Sequence, residues 1–351
     1  MKLSTSLNTP AYSSRTSVDA AAAFVVEAER LGVDTVWTAE AWGTDAFTPL
    51  AHVAALTERI KLATGIVQIS ARAPVMTAMT AMTLDVLSGG RMVLGLGVSG
   101  PQVVEGLHGQ RYDRPLERLR EYVEVLRLAF AGERLEYSGN QTVLPLSGGE
   151  GKALRLALKP NPRLPIHLAT LGPRAMELCG EIADGWVATC FVPERSGVYI
   201  DALARGAERA GRSLTEIAID AGGPLAFSDD VGRLVQSRKK ALAFQLSAMG
   251  SPKTNFYNMA YSRMGYEDVA QEVRKLWLDA KRDDAVAAVP DELAASTSLF
   301  GTREMVRDRM RAYRDAGVTT LRIDPMGREP SERLAVLEQA IDVAREVTAA
   351  I

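Results

Sequence analysis

Short runs of apolar residues alternate with longer amphipathic segments along most of the chain. The runs have the length and composition of strands buried on both faces of a parallel sheet, and the segments between them repeat apolar residues at helical spacing. This order is typical of consecutive βα units. The runs predict eight strands, at residues 2–7, 34–40, 60–67, 91–98, 164–170, 185–190, 216–227 and 319–324. We therefore expect an α/β protein whose strands close into a (β/α)8 TIM barrel.

Glycines mark the ends of several predicted helices, because glycine readily adopts the left-handed conformation that terminates a helix. Gly32, Gly89 and Gly317 each follow an amphipathic segment. The helix that ends near Gly89 carries Met76, Met79 and Met82 at helical spacing, and we expect all three to pack in the core.

The chain of 351 residues exceeds the typical barrel of about 250 residues by about a hundred. We place the extra length in two insertions, at about 132–162 after the fourth strand and about 249–300 before the eighth. The first contains ERLEYSGNQTVLPL, which predicts a β-hairpin, and the second is mostly helical. No internal repeat or Pro-rich linker divides the sequence, so we expect one domain over residues 1–351.

The fourth predicted strand carries a G-x-G-x-x-G pattern at Gly95, Gly97 and Gly100. A dinucleotide site of the Rossmann type needs a strand before these glycines, a helix opening on them, and an acidic residue about 20 positions later at the end of a second strand. Pro101 follows the last glycine directly, and residues 115–130 have helical spacing where the second strand should lie. The pattern therefore does not indicate a Rossmann site, and the glycines must serve another purpose.

Composition limits the possible partners. The net charge of -2 gives no electrostatic basis for binding nucleic acid or an anionic membrane surface. No apolar run approaches the ~20 residues of a membrane span, and the first residues lack a signal-peptide pattern. Cys179 and Cys190 lie in apolar contexts typical of reduced thiols. We expect a soluble, cytoplasmic protein that binds a small molecule.

The residues that follow each strand build the active site of such a barrel. This predicted rim, which begins at Asn8 and Thr9, is poor in acid–base groups and rich in glycine, amide and hydroxyl groups. It suits a flat ligand, and a cofactor would then supply the chemistry. His52, His108 and His167 fall on separate elements and neither H-E-x-x-H nor C-x-x-C occurs, so we predict no metal site.

Four segments together resemble the luciferase-like monooxygenase superfamily: LATGIV, SGGRMVLGLGVSGP, IADGW, and LFGTREMVRDRMRAYRDAGVTTLRI. The resemblance is closest to its coenzyme F420-dependent oxidoreductases, which include methylenetetrahydromethanopterin reductase, and it covers nearly the whole chain. It implies a deazaflavin coenzyme at the barrel rim, hydride transfer to or from a small organic substrate, and a homodimer.

The resemblance also implies roles for particular residues. Gly65 and Ile66 match a bulge with a non-proline cis peptide that lies against the back of the flavin ring. Ser99 and Gly100 would face the ring, while Gly95 and Gly97 would thin the strand where side chains crowd the barrel. The positions that match contacts to the phosphate side of the coenzyme are Ala169, Thr170, Leu171, Gly172, Gly185 and Trp186.

Departures from the family pattern concern the substrate. Glu40 and Ala41 stand where the sugar-phosphate dehydrogenases of this branch carry an Asp-His pair, and Pro101 stands where they carry an acidic residue. We therefore favour an imine, an enone or a similar acceptor over a sugar-phosphate alcohol. Glu40 is our candidate catalytic residue, as a proton donor or a ligand of the coenzyme edge; alternatively it caps the next segment.

Three further residues are candidates for substrate binding. Trp42 could form a wall of the pocket or pack in the core, and Gln68 ends the third strand. Arg72 could bind a carboxylate or the anionic coenzyme tail, or it could be a solvated arginine at a helix start.

Two other functions remain open. The first is an FMN-dependent monooxygenase that uses O2 on the same barrel. The second is a barrel that binds a flavin without catalysis. A deazaflavin has carbon at the ring position where flavins form oxygen adducts, which favours two-electron hydride chemistry over oxygen activation.

Overall fold

The computed structural model describes residues 1–7, 13–251 and 254–349, so the predicted rim residues Asn8 and Thr9 lie outside the described part. The strands in these ranges are β1 (Lys2–Leu7), β2 (Thr35–Thr38), β3 (Lys61–Thr64), β4 (Val67–Gln68), β5 (Met92–Gly97), β6 (Tyr137–Ser138), β7 (Val143–Leu144), β8 (Ile166–Leu168), β9 (Gly185–Val187), β10 (Ala218–Phe227), β11 (Leu299–Gly301) and β12 (Thr320–Pro325).

The helices follow the strands in alternation through most of the chain. In the same ranges they are α1 (Arg15–Leu31), α2 (Phe47–Ala54), α3 (Pro74–Leu87), α4 (Pro101–Gly106), α5 (Pro115–Ala131), α6 (Pro173–Ile182), α7 (Gly197–Arg209), α8 (Val231–Ser247), α9 (Phe256–Tyr261), α10 (Glu267–Leu278), α11 (Arg282–Ala287), α12 (Asp291–Ser296), α13 (Arg303–Asp315) and α14 (Pro330–Ala349).

Eight parallel strands within the described ranges close into a barrel in the order β1-β2-β3-β5-β8-β9-β10-β12, and β12 pairs with β1. The predicted TIM barrel is confirmed, and each predicted strand coincides with one of these eight. The expected helix ends are also present, since Gly32 and Gly317 have φ of 103° and 88°. Buried aliphatic side chains on the outer faces of the strands pack against the helices and form the main core.

The two insertions lie where they were predicted. β6 and β7 form the antiparallel hairpin of the first insertion, and α9 to α12 form the helical second one. Strand β11 was not predicted; it lies in the second insertion and pairs with β10 at residues 225–227. Three residues are too few for a periodic pattern to distinguish a strand from the helices around it.

Part of the expected core is exposed. Met82 is buried, but the side chains of Met76 and Met79 are 51% and 42% exposed. The prediction for these two methionines was wrong because the outer face of α3 is itself apolar. Cys179 and Cys190 are buried and free. Among the described residues no helix has both the length and the apolar character needed to span a bilayer.

Candidate active site

The third barrel strand is interrupted by a bulge between β3 and β4. Ala63 pairs with Val93 and Val67 pairs with Leu96, so four residue steps on one strand oppose three on the other. The Gly65–Ile66 peptide bond within this bulge is cis, as the resemblance implied. Neighbouring backbone holds the bulge, because the N–H of Gly65 donates to the carbonyl of Thr38 at 2.6 Å and the N–H of Glu40 donates to the carbonyl of Ile66 at 3.1 Å.

Two glycines of β5 lie directly beside the bulge. A Cβ at Gly95 would lie 1.8 Å from the carbonyl oxygen of Thr64, and a Cβ at Gly97 would lie 3.0 Å from the side chain of Ile66. The G-x-G pair therefore permits close approach of β5 to the bulged strand, which confirms that these glycines thin the barrel wall. The pattern has a packing origin and does not form a dinucleotide turn.

Most side chains that face the barrel interior are small toward the carboxyl ends of the strands. In a TIM barrel each interior layer takes side chains from alternate strands. Because the strands of a TIM barrel are tilted, residues at one height shift by about one position per strand relative to the pairing. With this shift, the observed register places Trp37, Gly95, Val187 and Arg322 in one layer. We call the two layers above it the mouth, and they consist of Ser6, Ala39, Gly65, Gly97, Ala169, Thr189, Gly222 and Asp324. All of these except Gly97 are at least partly accessible, whereas Trp37, Gly95 and Val187 are buried.

A hydrogen-bonded network forms the floor beneath the mouth. Asp220 accepts hydrogen bonds from Ser4 Oγ at 2.7 Å and from the indole Nε1 of Trp37 at 3.1 Å. The guanidinium of Arg322 lies 3.0 Å from Asp220 and donates to the carbonyl of Ala188 at 2.7 Å. Burial raises the pKa of Asp220, and the positive charge of Arg322 opposes that shift. The Trp37 ring lies directly below Gly65, where an added Cβ would be 3.0 Å from Cε3.

Trp37, Asp220 and Arg322 were not predicted as site residues. A signal for two of them was present, because Asp220 is the one charged residue of β10 and Arg322 is one of the two charged residues of β12. A buried charge needs a partner, so Asp220 implied a nearby cation, which Arg322 supplies.

Glu40, Gln68 and Arg72 come together at one edge of the mouth. Glu40 Oε2 lies 3.3 Å from Arg72 Nη2, and its Oε1 accepts from the backbone N–H of Gln68 at 3.4 Å. The Gln68 side chain donates to the carbonyls of Glu40 and Ala41 at 3.1 and 3.0 Å. His108, which the sequence analysis had considered only as a metal ligand, has its Nε2 at 3.3 Å from Gln68 Oε1.

The contacts of this edge distinguish between the alternative roles that the sequence left open for Glu40, Arg72 and Trp42. Glu40 also accepts from the N–H of Ala46 at 3.4 Å, so it ties down the loop before α2 as well as pairing with Arg72. Arg72 is not a solvated arginine, because it is largely buried, its guanidinium lies 5.3 Å from the Phe47 ring, and its Nε is buried with no hydrogen-bond partner. Trp42 is 66% exposed, which rules out packing in the core.

The residues predicted for the phosphate side divide into two groups. Ala169 lines the mouth, and Gly172 begins α6, whose N terminus receives no side-chain cap within the described residues. The space around Gly172 is open, since an added Cβ would meet nothing within 4 Å. Arg263, from the second insertion, donates to the carbonyl of Leu171 at 2.9 Å, and burial lowers the pKa of this arginine. Free amides and a nearby cation suit an anion.

The second group lies away from the mouth. The Trp186 ring is fully buried between Phe191 and Tyr199, and its Nε1 donates to the carbonyl of Thr170 at 3.0 Å. The hydroxyl of Thr170 contacts the sulfur of Met176. Gly185 lies deeper in the barrel, where an added Cβ would be 2.6 Å from the His167 ring. The structure therefore does not bring the side chains of Thr170 and Trp186, or Gly185, to the mouth.

Ser99 and Gly100 link β5 to α4 at the rim. Ser99 has a φ of 58°, in the left-handed region that residues other than glycine rarely adopt. Gly100 is extended and begins α4, and an added Cβ there would meet nothing within 4 Å. Both residues are partly accessible and stay predictions as contacts of a bound ring.

These features together fit a planar ring with an anionic tail. The mouth offers small side chains above a flat indole, and the α6 N terminus offers amides beside it. Within the described ranges no group of three or more His, Cys, Asp or Glu side chains is placed to hold a metal ion.

Comparison with known proteins gives concordant results. Residues 1–320 match the family model described as luciferase-like monooxygenase. A Mycobacterium tuberculosis protein, provisionally named as a coenzyme F420-dependent oxidoreductase, is 42% identical over 324 residues, covering 90% of this chain and 93% of that protein. The 5,10-methylenetetrahydromethanopterin reductase of Methanolobus tindarius is 27% identical over 295 residues, covering 84% of this chain and 86% of that enzyme.

A solved structure shows the same fold. The coenzyme F420-dependent tetrahydromethanopterin reductase of Methanopyrus kandleri superposes with a TM-score of 0.75 at 23% identity, covering 98% of this chain and 96% of that one.

Proposed function

Because the chain belongs to the luciferase-like monooxygenase family, we propose that it is an oxidoreductase that holds coenzyme F420 in the mouth and passes a hydride between it and a small organic substrate. The observation that carries the proposal is the mouth itself, where the small, partly accessible residues Ser6, Gly65, Ala169 and Gly222 stand above Trp37 at the carboxyl ends of the strands. The name of the 42%-identical relative supports the choice of coenzyme.

Different residues around the mouth would bind the ring and the anionic tail of the coenzyme. Gly65 and Ile66 would back the ring, with Ser99 and Gly100 at its side. Leu171, Gly172 and Arg263 would bind the anionic tail, because the uncapped N terminus of α6 and the guanidinium both attract negative charge.

Bound coenzyme supplies the hydride donor or acceptor, and the protein supplies alignment. Holding two reactants at near-attack distance is worth up to roughly 7 to 11 kcal/mol, so the site needs few acid–base groups. The edge formed by Glu40, Gln68, Arg72 and His108 is the part of the mouth where hydrogen-bonding groups are concentrated. We assign it to the polar edge of the ring or of the substrate.

Titration of the purified protein with coenzyme F420 and with FMN tests the proposal. We expect coenzyme F420 to bind at least tenfold more tightly, a difference of about 1.4 kcal/mol. Tighter binding of FMN by the same factor, with O2 consumption by the reduced protein, would instead support the FMN-dependent monooxygenase. A coenzyme that binds but that no electron donor reduces would support the non-catalytic barrel.

A further inference from the structure

Asp324 is a carboxylate of the mouth that the sites described above do not use. It lies near the end of β12, where Leu321 and Ile323 belong to the core against the helices. Alternate residues of a strand face opposite sides, so Asp324 faces the barrel interior with Arg322, two positions earlier. Ser6 pairs with Trp37 on the neighbouring strand, and the register of β1 with β12 places Asp324 beside Ser6. The carboxylate therefore stands one side-chain layer or more above the floor.

No hydrogen bond reaches Asp324 from the described part of the chain, and its Oδ1 is buried without a partner. Leaving a buried acceptor unsatisfied costs free energy, more so when the group is charged. The other carboxylates of the site are occupied, since Glu40 pairs with Arg72 and Asp220 pairs with Arg322. Asp324 thus has an acceptor available for a ligand.

The charges around the mouth favour a cation at this position. The pairs Glu40–Arg72 and Asp220–Arg322 each sum to zero, Arg263 lies on the side of the mouth assigned to the anionic tail, and Asp324 adds a negative charge. Arg333 of α14 influences Asp324 only through space: its guanidinium lies 4.5 Å from the Phe24 ring, and it donates to the carbonyl of Pro325. Among the described residues Asp324 forms no ion pair, and a cationic ligand would supply one.

Asp324 lies on a different part of the barrel wall from the bulge between β3 and β4, which we assign to the coenzyme. β12 and β3 are separated by β1 and β2 on the shorter path around the barrel, so Asp324 stands on a wall across the mouth from Gly65 and Ile66. A ligand that contacts Asp324 would lie on the open side of a ring backed by those two residues.

We propose that Asp324 binds the substrate by accepting a hydrogen bond from a protonated nitrogen, so that the hydride acceptor is an iminium, which takes the hydride at carbon and becomes the amine, and not an enone. This inference rests on the proposed function, since it takes the mouth as the reaction site. It names Asp324 as the residue that selects the substrate and places the nitrogen beside Oδ1.

Three proteins test it: the wild type, Asp324→Asn, and the matched control Asp342→Asn, which changes an exposed aspartate of α14. Calorimetric titration with benzylamine and with its neutral isostere benzyl alcohol provides the probe. We expect benzylamine to bind the wild type and the control equally, at least tenfold more tightly than it binds Asp324→Asn. Benzyl alcohol should not distinguish the three proteins. Equal benzylamine affinity in all three, or no preference of the wild type for benzylamine over benzyl alcohol, would overturn the proposal.

Binding of coenzyme F420 separates this inference from the proposed function. We expect Asp324→Asn to bind the coenzyme within twofold of the wild type. A loss of tenfold or more in this variant alone would make Asp324 a coenzyme contact and overturn its role in substrate binding. If the wild type itself fails to bind the coenzyme, the proposed function fails, and the benzylamine titration still decides what Asp324 binds.

Thermal unfolding provides a readout that distinguishes a ligand-binding role from a structural one. Removing an unsatisfied charge should leave the melting temperature of Asp324→Asn equal to or above that of the wild type. A clear fall in melting temperature relative to both other proteins would show that Asp324 stabilises the fold, contrary to the proposal.

Discussion

His167 is an imidazole inside the barrel, at the level of the floor of the mouth. Its ring centroid lies 5.9 Å from that of Trp37. The ring packs against Gly185, where a Cβ would lie 2.6 Å from it. The Nδ1 of His167 is buried with no hydrogen-bond partner. Burial lowers the pKa of His167 to about 4 from an ordinary value of 6.5. The folded protein therefore holds this side chain neutral at pH values where the unfolded chain protonates it.

We expect this histidine to make the protein sensitive to acid. The unfolded chain binds a proton as the pH falls through about 6.5, and the folded protein does so only near 4, so stability is lost across that window. The shift corresponds to roughly 3 kcal/mol. Denaturant unfolding at pH 7 and at pH 4.5 should show a smaller loss of stability in His167→Gln than in the wild type. Equal losses in the two proteins would contradict the assignment.

The residues of the site differ in how far the sequence could predict them. Gly65 and Ile66 were found because a local segment resembles a family pattern, and the cis bond is present there. The network of Trp37, Asp220 and Arg322 was missed because its members come from three distant strands. Alternation along a strand shows which side chains face inward, but only the register of the closed barrel shows which of them meet.

At the level of elements, the strands were predictable because each is a distinct apolar run followed by a helix. All eight barrel strands were identified, although β2, β8 and β9 are shorter than the apolar runs. The contribution of the second insertion was not predictable: Arg263 reaches the carbonyl of Leu171 across 92 positions in the sequence. No local pattern reports a contact at that separation.

The N terminus of α6 allows a test of the proposed tail-binding site. Gly172 has an extended backbone that an aspartate can adopt, and open space surrounds it. Gly172→Asp should cap the helix and raise the free energy of unfolding by about a few tenths of a kcal/mol. It should also weaken binding of coenzyme F420 at least tenfold, or about 1.4 kcal/mol, because a carboxylate repels the anionic tail.

Gly172→Asn is the matched control, because asparagine caps a helix as well as aspartate does and carries no charge. We expect its dissociation constant for coenzyme F420 to lie between those of the wild type and Gly172→Asp, with a melting temperature similar to that of the aspartate variant. If all three proteins bind the coenzyme equally, the tail does not lie at α6.

For the whole molecule, the outer surface of the barrel carries an apolar face on α3. Met76, Met79, Val86 and Leu87 recur at helical spacing along α3 and are 42% to 66% exposed. Isolated exposed apolar side chains are ordinary on protein surfaces, but a contiguous group marks an interaction site. Met76 and Met79, which were predicted to lie in the core, belong to this face.

We expect this face to join two copies of the chain into the predicted homodimer. The double variant Met79→Lys/Val86→Lys should be a folded monomer, since two buried ammonium groups per subunit would be costly at an apolar interface. Light scattering coupled to gel filtration would measure the mass, and circular dichroism would confirm the fold. Leu278→Lys, which changes a 60% exposed leucine of α10, should remain a dimer. A monomeric wild type, or a control that dissociates while the double variant does not, would show that the apolar face does not mediate self-association.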